Sequence, residues 1–297
     1  MLVIDVSQLK SINVDLNENT VTIGTGVTNG MLYNALGTLS YPFPGGTCPS
    51  VCVSGYAMGG GWGLSSRKFG LGCDSLLEVQ LINYKGELIV ANSMVNCDLF
   101  WAIKGSGGGN YGVFVSLKFK LPQQVSSVTL FDIKYYNICL NEQKLFFKTW
   151  QSWIKTTSND INARTSIFNS FENGKGISMF GISYKDLEET TQLLTPFLLI
   201  NNVSLDIKEV SFLDAVNEIG AIYQSEFKDN FYKAYSDEWF YRNFKYIYSL
   251  TNGSYVNFPY NRLINYNFNY YGKNLFRLKC VKKKYDPLNV FTFPQGI

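Results

Sequence analysis

The chain has 297 residues, 46% of them hydrophobic, which is enough for one large or two modest buried cores. Its formal charge of +3 is too small to predict a nucleic-acid partner. Histidine is absent, which excludes histidine bases, histidine metal ligands and Ser-His-Asp triads. The six cysteines form no C-x-x-C pair, so no metal site is expected.

Two sequence features bear on location. No apolar run reaches the ~20 residues of a membrane-spanning helix, so no membrane partner is expected. The opening Leu-Val-Ile-Asp-Val, residues 2–6, predicts a strand rather than a signal peptide. A cytoplasmic location is therefore the default expectation.

Residues 1–122 are rich in glycine and alternate short periodic runs with turns, which predicts a sheet with few helices. The predicted elements, in chain order, are a strand over Thr20–Thr25, a helix over Thr28–Leu39, a hairpin over Leu76–Val90 that turns at Asn83–Gly86, and a strand over Val113–Lys120.

From residue 123 glycine becomes rarer, and the pattern predicts a sheet covered by helices up to residue 252. The predicted elements are helices over Glu142–Lys155 and from Asp186 to Pro196, and strands over Ile177–Tyr184 and Leu205–Val210. Residues 253–297 form a third segment, with a strand over Gly253–Phe258 and a helix over Asn274–Tyr285 that ends before Pro287. The Lys282–Lys284 run is typical of a solvated helix end.

Two glycine-rich stretches are the most informative part of the chain. Pro44–Gly63 contains seven glycines, and its bare backbone can approach a planar or phosphate-bearing ligand closely. Lys104–Val113 is a second cluster, but a strand follows it instead of a helix, so it is neither a P-loop nor a dinucleotide fingerprint. Together the clusters predict one extended ligand lying across the domain. The alternative for each cluster is a set of tight turns.

Three ordered stretches resemble one enzyme family. Gly45-Gly46-Thr47-Cys48-Pro49-Ser50-Val51, Met58-Gly59-Gly60-Gly61-Trp62-Gly63 through Leu71, and Asp98-Leu99-Phe100-Trp101 through Val113 are similar to the FAD domain of berberine-bridge-enzyme-like oxidases of the vanillyl-alcohol-oxidase superfamily. Tyr270-Tyr271-Gly272-Lys273-Asn274 through Phe291 resembles the terminal signature of that family.

The resemblance implies an α+β fold of the two-domain PCMH-type FAD-binding kind. Residues 1–122 would be the FAD-binding domain without its first strand-loop module, and residues 123–252 a shortened substrate domain of antiparallel sheet and helices. Residues 253–297 would return to the FAD domain. The implied activity is oxidation of an alcohol or amine carbon of a small molecule, a sugar or secondary metabolite, with O2 as acceptor and H2O2 as product.

The resemblance also implies the cofactor site. In the family the cysteine matching Cys48 often bonds to flavin carbon 6, and a valine matching Val51 leaves room for O2 near the flavin. The implied FAD-binding residues are Pro44, Gly45, Gly46, Thr47, Cys48, Val51, Gly55, Met58, Gly59, Gly60, Gly63, Gly112, Val113 and Asn274.

Two departures from the family concern cofactor attachment and length. The family's Arg-x-Gly-Gly-His segment, which binds the pyrophosphate and often links histidine to the flavin, is not in this sequence, so a histidyl link is impossible for it. The middle region is shorter than in relatives, and strands of the substrate sheet are expected to be missing around Tyr232–Tyr248.

The third departure concerns the catalytic base. The family base is commonly the second tyrosine of a Tyr-x-Asn-Tyr strand, and here that strand ends in Phe258. In a regular strand Tyr255 would face away from Phe258. The candidate catalytic residues are Tyr255, Asn257 and Tyr260. Two hypotheses stay open: an FAD-dependent oxidase, or a non-catalytic fragment or flavin-binding pseudoenzyme of the same family.

Overall fold

The computed structural model describes residues 3–170, 174–226, 238, 241–246 and 248–297. Within them lie two antiparallel sheets. The first has the order β1-β2-β5-β3-β4, so its two central pairings join strands that are distant in the chain. Its strands are β1 (Ile12–Asp15), β2 (Thr20–Gly24), β3 (Leu76–Ile82), β4 (Leu88–Asn92) and β5 (Val113–Lys120).

Short helices pack against this sheet. They are α1 (Asn29–Gly37), α2 (Val53–Met58) and α4 (Cys97–Ile103), while α3 (Ser66–Phe69) has no buried side chain and contacts the second sheet. Helix α1 begins at Thr28, whose hydroxyl accepts a hydrogen bond from the Met31 N–H at 3.4 Å. Fully buried side chains such as Leu32 of α1, Val79 of β3 and Leu117 of β5 form one core between helices and sheet.

The second sheet has the order β7-β8-β6-β9 and is covered by two helices, as the sequence predicted for the middle region. The elements are β6 (Val128–Tyr136), α5 (Leu140–Thr156), β7 (Ile161–Ser170), β8 (Gly174–Ser183), α6 (Leu187–Leu198) and β9 (Val203–Val210). Phe146 and Trp153, seven residues apart on α5, are buried against Phe197 of α6. Helix α6 continues through Pro196, two residues beyond its predicted end.

The last elements return to the first sheet. Helix α7 (Phe212–Glu226) packs on α1 so closely that a Cβ at Gly37 would lie 2.8 Å from the Cβ of Leu213. Helix α8 (Tyr266–Tyr271) and helix α9 (Leu275–Tyr285) follow, and Lys284 of α9 bonds to Asp98 of α4 at 2.6 Å. The predicted α+β class is confirmed. None of the helices described is long and apolar enough to cross a membrane.

Three expectations from the sequence are wrong. Residues 3–6 form no strand, because no other strand pairs with them. Tyr255–Phe258 is a turn, closed by the Phe258 N–H donating to the Tyr255 carbonyl at 3.0 Å, and Pro259 follows it. Lys282 is buried instead of solvated. Of the stretch 232–248, only residues 238, 241–246 and 248 are described, so the expected loss of strands there lies largely outside the described residues.

One arginine joins the two sheets. Arg67 of α3 donates from its guanidinium to three carbonyl oxygens at the end of α5, a position where unpaired helix carbonyls need donors. The acceptors are Ile154 at 3.2 Å, Thr157 at 3.3 Å and Ser158 at 3.4 Å.

We expect Arg67→Met to lower the free energy of unfolding by about 1–3 kcal/mol, because the apolar stem remains while the carbonyls of α5 lose their donors. Urea denaturation followed by circular dichroism measures the change. Lys155→Met is the matched control, an exposed cation on the same helix end, and should shift stability by no more than about 0.5 kcal/mol. Equal effects of the two substitutions would contradict the capping role.

Candidate functional site

Helix α1 holds the loop that carries Cys48. Two backbone N–H groups of its first turn, those of Asn29 and Gly30, and the side chains of Asn29 and Tyr33 all donate to carbonyl oxygens of this loop. The acceptors are the carbonyls of Gly46, Cys48, Pro49 and Val51, at 2.8, 3.2, 2.9 and 2.9 Å respectively. The loop is therefore anchored by its carbonyl groups.

The opposite side of the same loop offers donors. Among the residues described, the N–H groups of Gly46, Thr47 and Cys48 donate to no protein acceptor. Backbone N–H groups left open beside a cleft attract electron-rich ligand atoms. The Cys48 thiol is half-buried, with its sulfur 3.7 Å from the Ser50 hydroxyl.

The second glycine-rich stretch is hydrogen-bonded to the first through a single acceptor atom. The carbonyl oxygen of Met58, at the end of α2, accepts hydrogen bonds from the N–H groups of both Gly105 and Gly107 at 2.9 Å. Gly108 then lies next to Met58, since a Cβ there would be 3.2 Å from the Met58 methyl carbon. The two stretches therefore form neighbouring walls of one cleft.

The turn at residues 255–258 supplies the third wall. The Tyr255 hydroxyl oxygen accepts hydrogen bonds from the N–H groups of Gly61 at 3.0 Å and Trp62 at 3.2 Å, and from the Asn257 amide at 3.0 Å. Asn257 also donates to the Tyr56 carbonyl at 2.9 Å, at the end of α2. Because this segment is a turn, Tyr255 and Phe258 both face the site, with ring centroids 5.3 Å apart.

These walls enclose an open cleft of about 590 Å³. Within the described part of the chain its lining contains no charged side chain, and its rim is apolar, with Val51 41% and Trp62 45% exposed. Burial raises the pKa of Tyr56 far above its usual range, and the nearby Tyr255 adds to the effect, so the Tyr56 hydroxyl stays protonated. The lining residues are Asn29, Gly46, Thr47, Cys48, Val51, Cys52, Gly55, Tyr56, Trp62, Gly108, Tyr255, Asn257 and Phe258.

The glycines of the first stretch divide into two kinds. A Cβ at Gly59 would lie 1.8 Å from the Asn257 side chain, and one at Gly63 would lie 2.1 Å from the Gly45 carbonyl oxygen, so these positions need glycine for internal packing. Gly55 differs, because a Cβ there would meet nothing within 4 Å. Its missing side chain leaves room in the cleft itself.

The structure places the remaining predicted residues outside the cleft lining. Tyr260 packs against Phe244, with ring centroids 4.7 Å apart and the rings tilted by 41°, and does not line the cleft. Asn274 is exposed at the start of α9, and Gly60 adopts a φ of +105° beside the Tyr255 ring. The others are also absent from the lining: Pro44, Gly45, Met58, Gly59, Gly63, Gly112 and Val113.

Sequence reasoning missed five lining residues: Asn29, Cys52, Tyr56, Trp62 and Gly108. Gly108 lies inside the second glycine stretch, so composition alone pointed near it. Tyr56 falls within the first stretch. Its ring lines the cleft because it is buried there, and no local sequence pattern shows that burial. Asn29 opens α1 and looks like an ordinary first-turn residue, because its loop partner lies 19 residues away.

The chain is similar in sequence to known flavin-dependent proteins. The family model described as FAD binding domain matches residues 1–92, and that described as berberine and berberine like matches residues 254–297. The "Uncharacterized FAD-linked oxidoreductase YvdP" of Bacillus subtilis is 28% identical over 373 residues, covering 100% of this chain and 82% of the relative. Tetrahydroberberine oxidase of Berberis wilsoniae is 39% identical over 132 residues, which are 44% of this chain and 25% of the relative.

The fold agrees as well. The solved structure of BBE-like 1 from Physcomitrella patens superposes with a TM-score of 0.84 at 24% identity, covering 98% of this chain and 80% of that one. The matched family models and relatives support a berberine-bridge-enzyme-like FAD-linked oxidoreductase. FAD is accordingly the cofactor of this oxidoreductase. The uncharged cleft, the open N–H groups of residues 46–48 and the vacant side-chain position at Gly55 fit a planar flavin ring.

Gly55 provides a direct test of this fit. We expect Gly55→Leu to weaken FAD binding by about tenfold or more, because its side chain would enter the cleft. Gly55→Ala is the matched control, and should leave FAD affinity unchanged while stabilising α2 by about 0.5–1 kcal/mol. Flavin fluorescence titration and thermal melting measure both quantities. Wild-type affinity in a folded Gly55→Leu variant would place the flavin elsewhere.

Proposed function

We propose that this oxidoreductase oxidises an alcohol or amine carbon of a sugar or secondary metabolite and passes the electrons to O2. The substrate loses two electrons and two protons, and O2 gains both to become H2O2. Bound FAD supplies the two-electron acceptor. The observation that supports the proposal is the convergence of the Cys48 loop and the Tyr255 hydroxyl on one uncharged cleft.

Tyr255 is the proposed proton acceptor. Its hydroxyl oxygen accepts hydrogen bonds from the N–H groups of Gly61 and Trp62 and from the Asn257 amide, which fix its place in the cleft. The same donors occupy its lone pairs, so Tyr255 accepts a substrate proton slowly. Tyr56 is unsuited to the role, because its hydroxyl is buried and donates to the Pro44 carbonyl at 2.9 Å.

Phe258 is the residue that limits the proposed rate of substrate oxidation. It is 75% exposed and lies on the cleft beside Tyr255, but it has no hydroxyl to accept a proton. This position also favours the second candidate function, a flavin-binding protein without turnover. The two candidates differ in a single measurable property, which is whether substrate reduces the bound flavin.

Two further residues follow from the family resemblance. Cys48 is the proposed attachment point of the flavin through carbon 6. The open rim at Val51, a residue smaller than isoleucine, is the proposed approach of O2. Since the chain contains no histidine, attachment through Cys48 would be its single covalent link of the two found in the family.

The experiment uses the protein loaded with FAD and a panel of oligosaccharides, aromatic alcohols and tetrahydro-alkaloids. Anaerobic bleaching of the flavin absorbance by a substrate, followed by H2O2 release when air is admitted, supports the oxidase. Bleaching without rapid reoxidation in air supports a dehydrogenase instead. A protein that binds FAD but is never reduced by any substrate is the non-catalytic alternative.

We expect Phe258→Tyr to raise H2O2 release by about tenfold or more, because a positioned base contributes ~10²–10⁴-fold and the new hydroxyl would be free of competing donors. Tyr255→Phe should remove the residual activity. Phe276→Tyr is the matched control on an exposed face of α9 and should change nothing. If Phe258→Tyr leaves the rate at the wild-type value, residue 258 does not face the reacting carbon.

Covalent attachment has its own test. We expect flavin to remain with the protein after acid precipitation, and Cys48→Ser to release all of it. Cys52→Ser is the control, since Cys52 lines the same cleft four residues later and should have no effect. Mass analysis of the flavin peptide identifies the attached residue. A flavin bonded to any residue other than Cys48 rules this assignment out.

A further inference from the structure

Lys282 of α9 is an unusual lysine because its charge is buried. Its ammonium group donates to the Asp286 carboxylate and to the carbonyl oxygens of Asn110 and Phe291, each at 2.6 Å. The Lys282 side chain is 8% exposed and that of Asp286 is fully buried. An ammonium group has three protons to donate, so all of its hydrogen-bonding capacity is used. One charge thus joins three segments: α9, the second glycine stretch and the end of the chain.

Asp286 folds the last residues back onto this centre. Its carboxylate also accepts the N–H groups of Val290 at 2.8 Å and Phe291 at 2.9 Å. Burial opposes ionisation of Asp286, but Lys282 and these two N–H groups outweigh it and hold the pKa of the carboxyl below its usual range. Breaking the pair would leave an uncompensated buried charge, so the pair strongly constrains the position of the segments bonded to it.

This last segment of the chain is also hydrogen-bonded to the second glycine-rich stretch. The Ile297 N–H donates to the Asn110 side-chain oxygen at 3.0 Å, and the Asn110 amide donates to the Ser106 carbonyl at 3.0 Å. Asn110 is almost fully buried. Gly108, which lines the cleft, lies between Ser106 and Asn110, so its position is set from both sides.

The same segment also reaches the turn on the other wall. The Gln295 side chain donates to the Tyr260 carbonyl at 2.8 Å and accepts a hydrogen bond from the Tyr270 hydroxyl at 2.8 Å. Tyr260 lies two residues after Phe258, the last residue of the turn that presents Tyr255 and Phe258. Residues 282–297, called the brace below, are therefore bonded to both walls of the cleft without lining it.

We propose that the brace sets the distance between the second glycine-rich stretch and the turn at residues 255–258, and that Lys282 is a positioning residue for cofactor binding. This inference rests on the proposed placement of FAD in the cleft. It assigns the end of the chain a role in the site, whereas the lining residues named above come from residues 29–108 and 255–258.

The first experiment needs no cofactor, so its outcome is independent of the proposed function. Amide hydrogen exchange of the apoprotein reports on the Gly105 and Gly107 N–H groups, which bond to the Met58 carbonyl, with the strand β5 amides as the reference for global opening. We expect Lys282→Met to accelerate exchange at Gly105 and Gly107 by about tenfold or more while β5 stays protected. Equal acceleration everywhere would show that Lys282 supports the fold in general, and would overturn the proposal.

The second experiment measures FAD affinity in folded variants. Lys282→Met should weaken FAD binding by about tenfold or more, and Lys282→Arg, which retains the charge, should recover part of the loss. Lys284→Met is the matched control, since Lys284 lies on the same helix and forms an exposed ion pair with Asp98. It should leave affinity within about twofold.

Gln295→Ala keeps the test decisive if Lys282→Met does not fold, because it removes the link to Tyr260 without burying a charge. It should also weaken FAD binding, and it should speed exchange at the Phe258 N–H. Unchanged affinity and unchanged exchange in folded Gln295→Ala would overturn the brace. If the wild-type protein binds no FAD, the proposed function fails, and the exchange data still decide whether the brace exists.

Discussion

The carbonyl oxygen of Met58 is the point on which the site depends. It accepts two N–H groups from the second glycine-rich stretch, and so joins two segments that are separated by the hairpin of β3 and β4. A helix end supplies such an oxygen at no cost, because its last carbonyls have no partner within the helix. The cleft exists because both stretches are held there, side by side, with little side-chain bulk between them.

Hydrogen bonds rather than charges build the rest of the cleft. Helix α1 takes the carbonyls of the Cys48 loop, which leaves the loop's N–H groups for a ligand. The hydroxyl oxygen of Tyr255 accepts hydrogen bonds from residues 61, 62 and 257. It thereby links the turn near the end of the chain to the first glycine-rich stretch. The buried ion pair of Lys282 lies behind the wall, where its charge organises backbone without entering the cleft.

Most elements of the fold could be predicted locally. The hairpin at residues 76–92 and the helices around Trp153 and after Asp186 carry their own periodicity, turns and caps, and the structure has them within a few residues. The two failed strands, at the described residues 3–6 and at 253–258, had strand-like composition but no partner strand. Pairing is a long-range property, so composition alone could not reveal its absence.

The sequence by itself determined the fold class, the resemblance to FAD-linked oxidoreductases and the lack of histidine side chains in this chain, because these depend on ordered motifs and on which side chains exist at all. Only the tertiary structure decided which glycines face the cleft and which pack internally, that Tyr255 and Phe258 share a side, and that Lys282 is buried. Each of these depends on contacts between residues far apart in the chain, such as Gly59 with Asn257 and Lys282 with Asn110. A local pattern carries no record of such contacts, because they form only when the separate segments pack together.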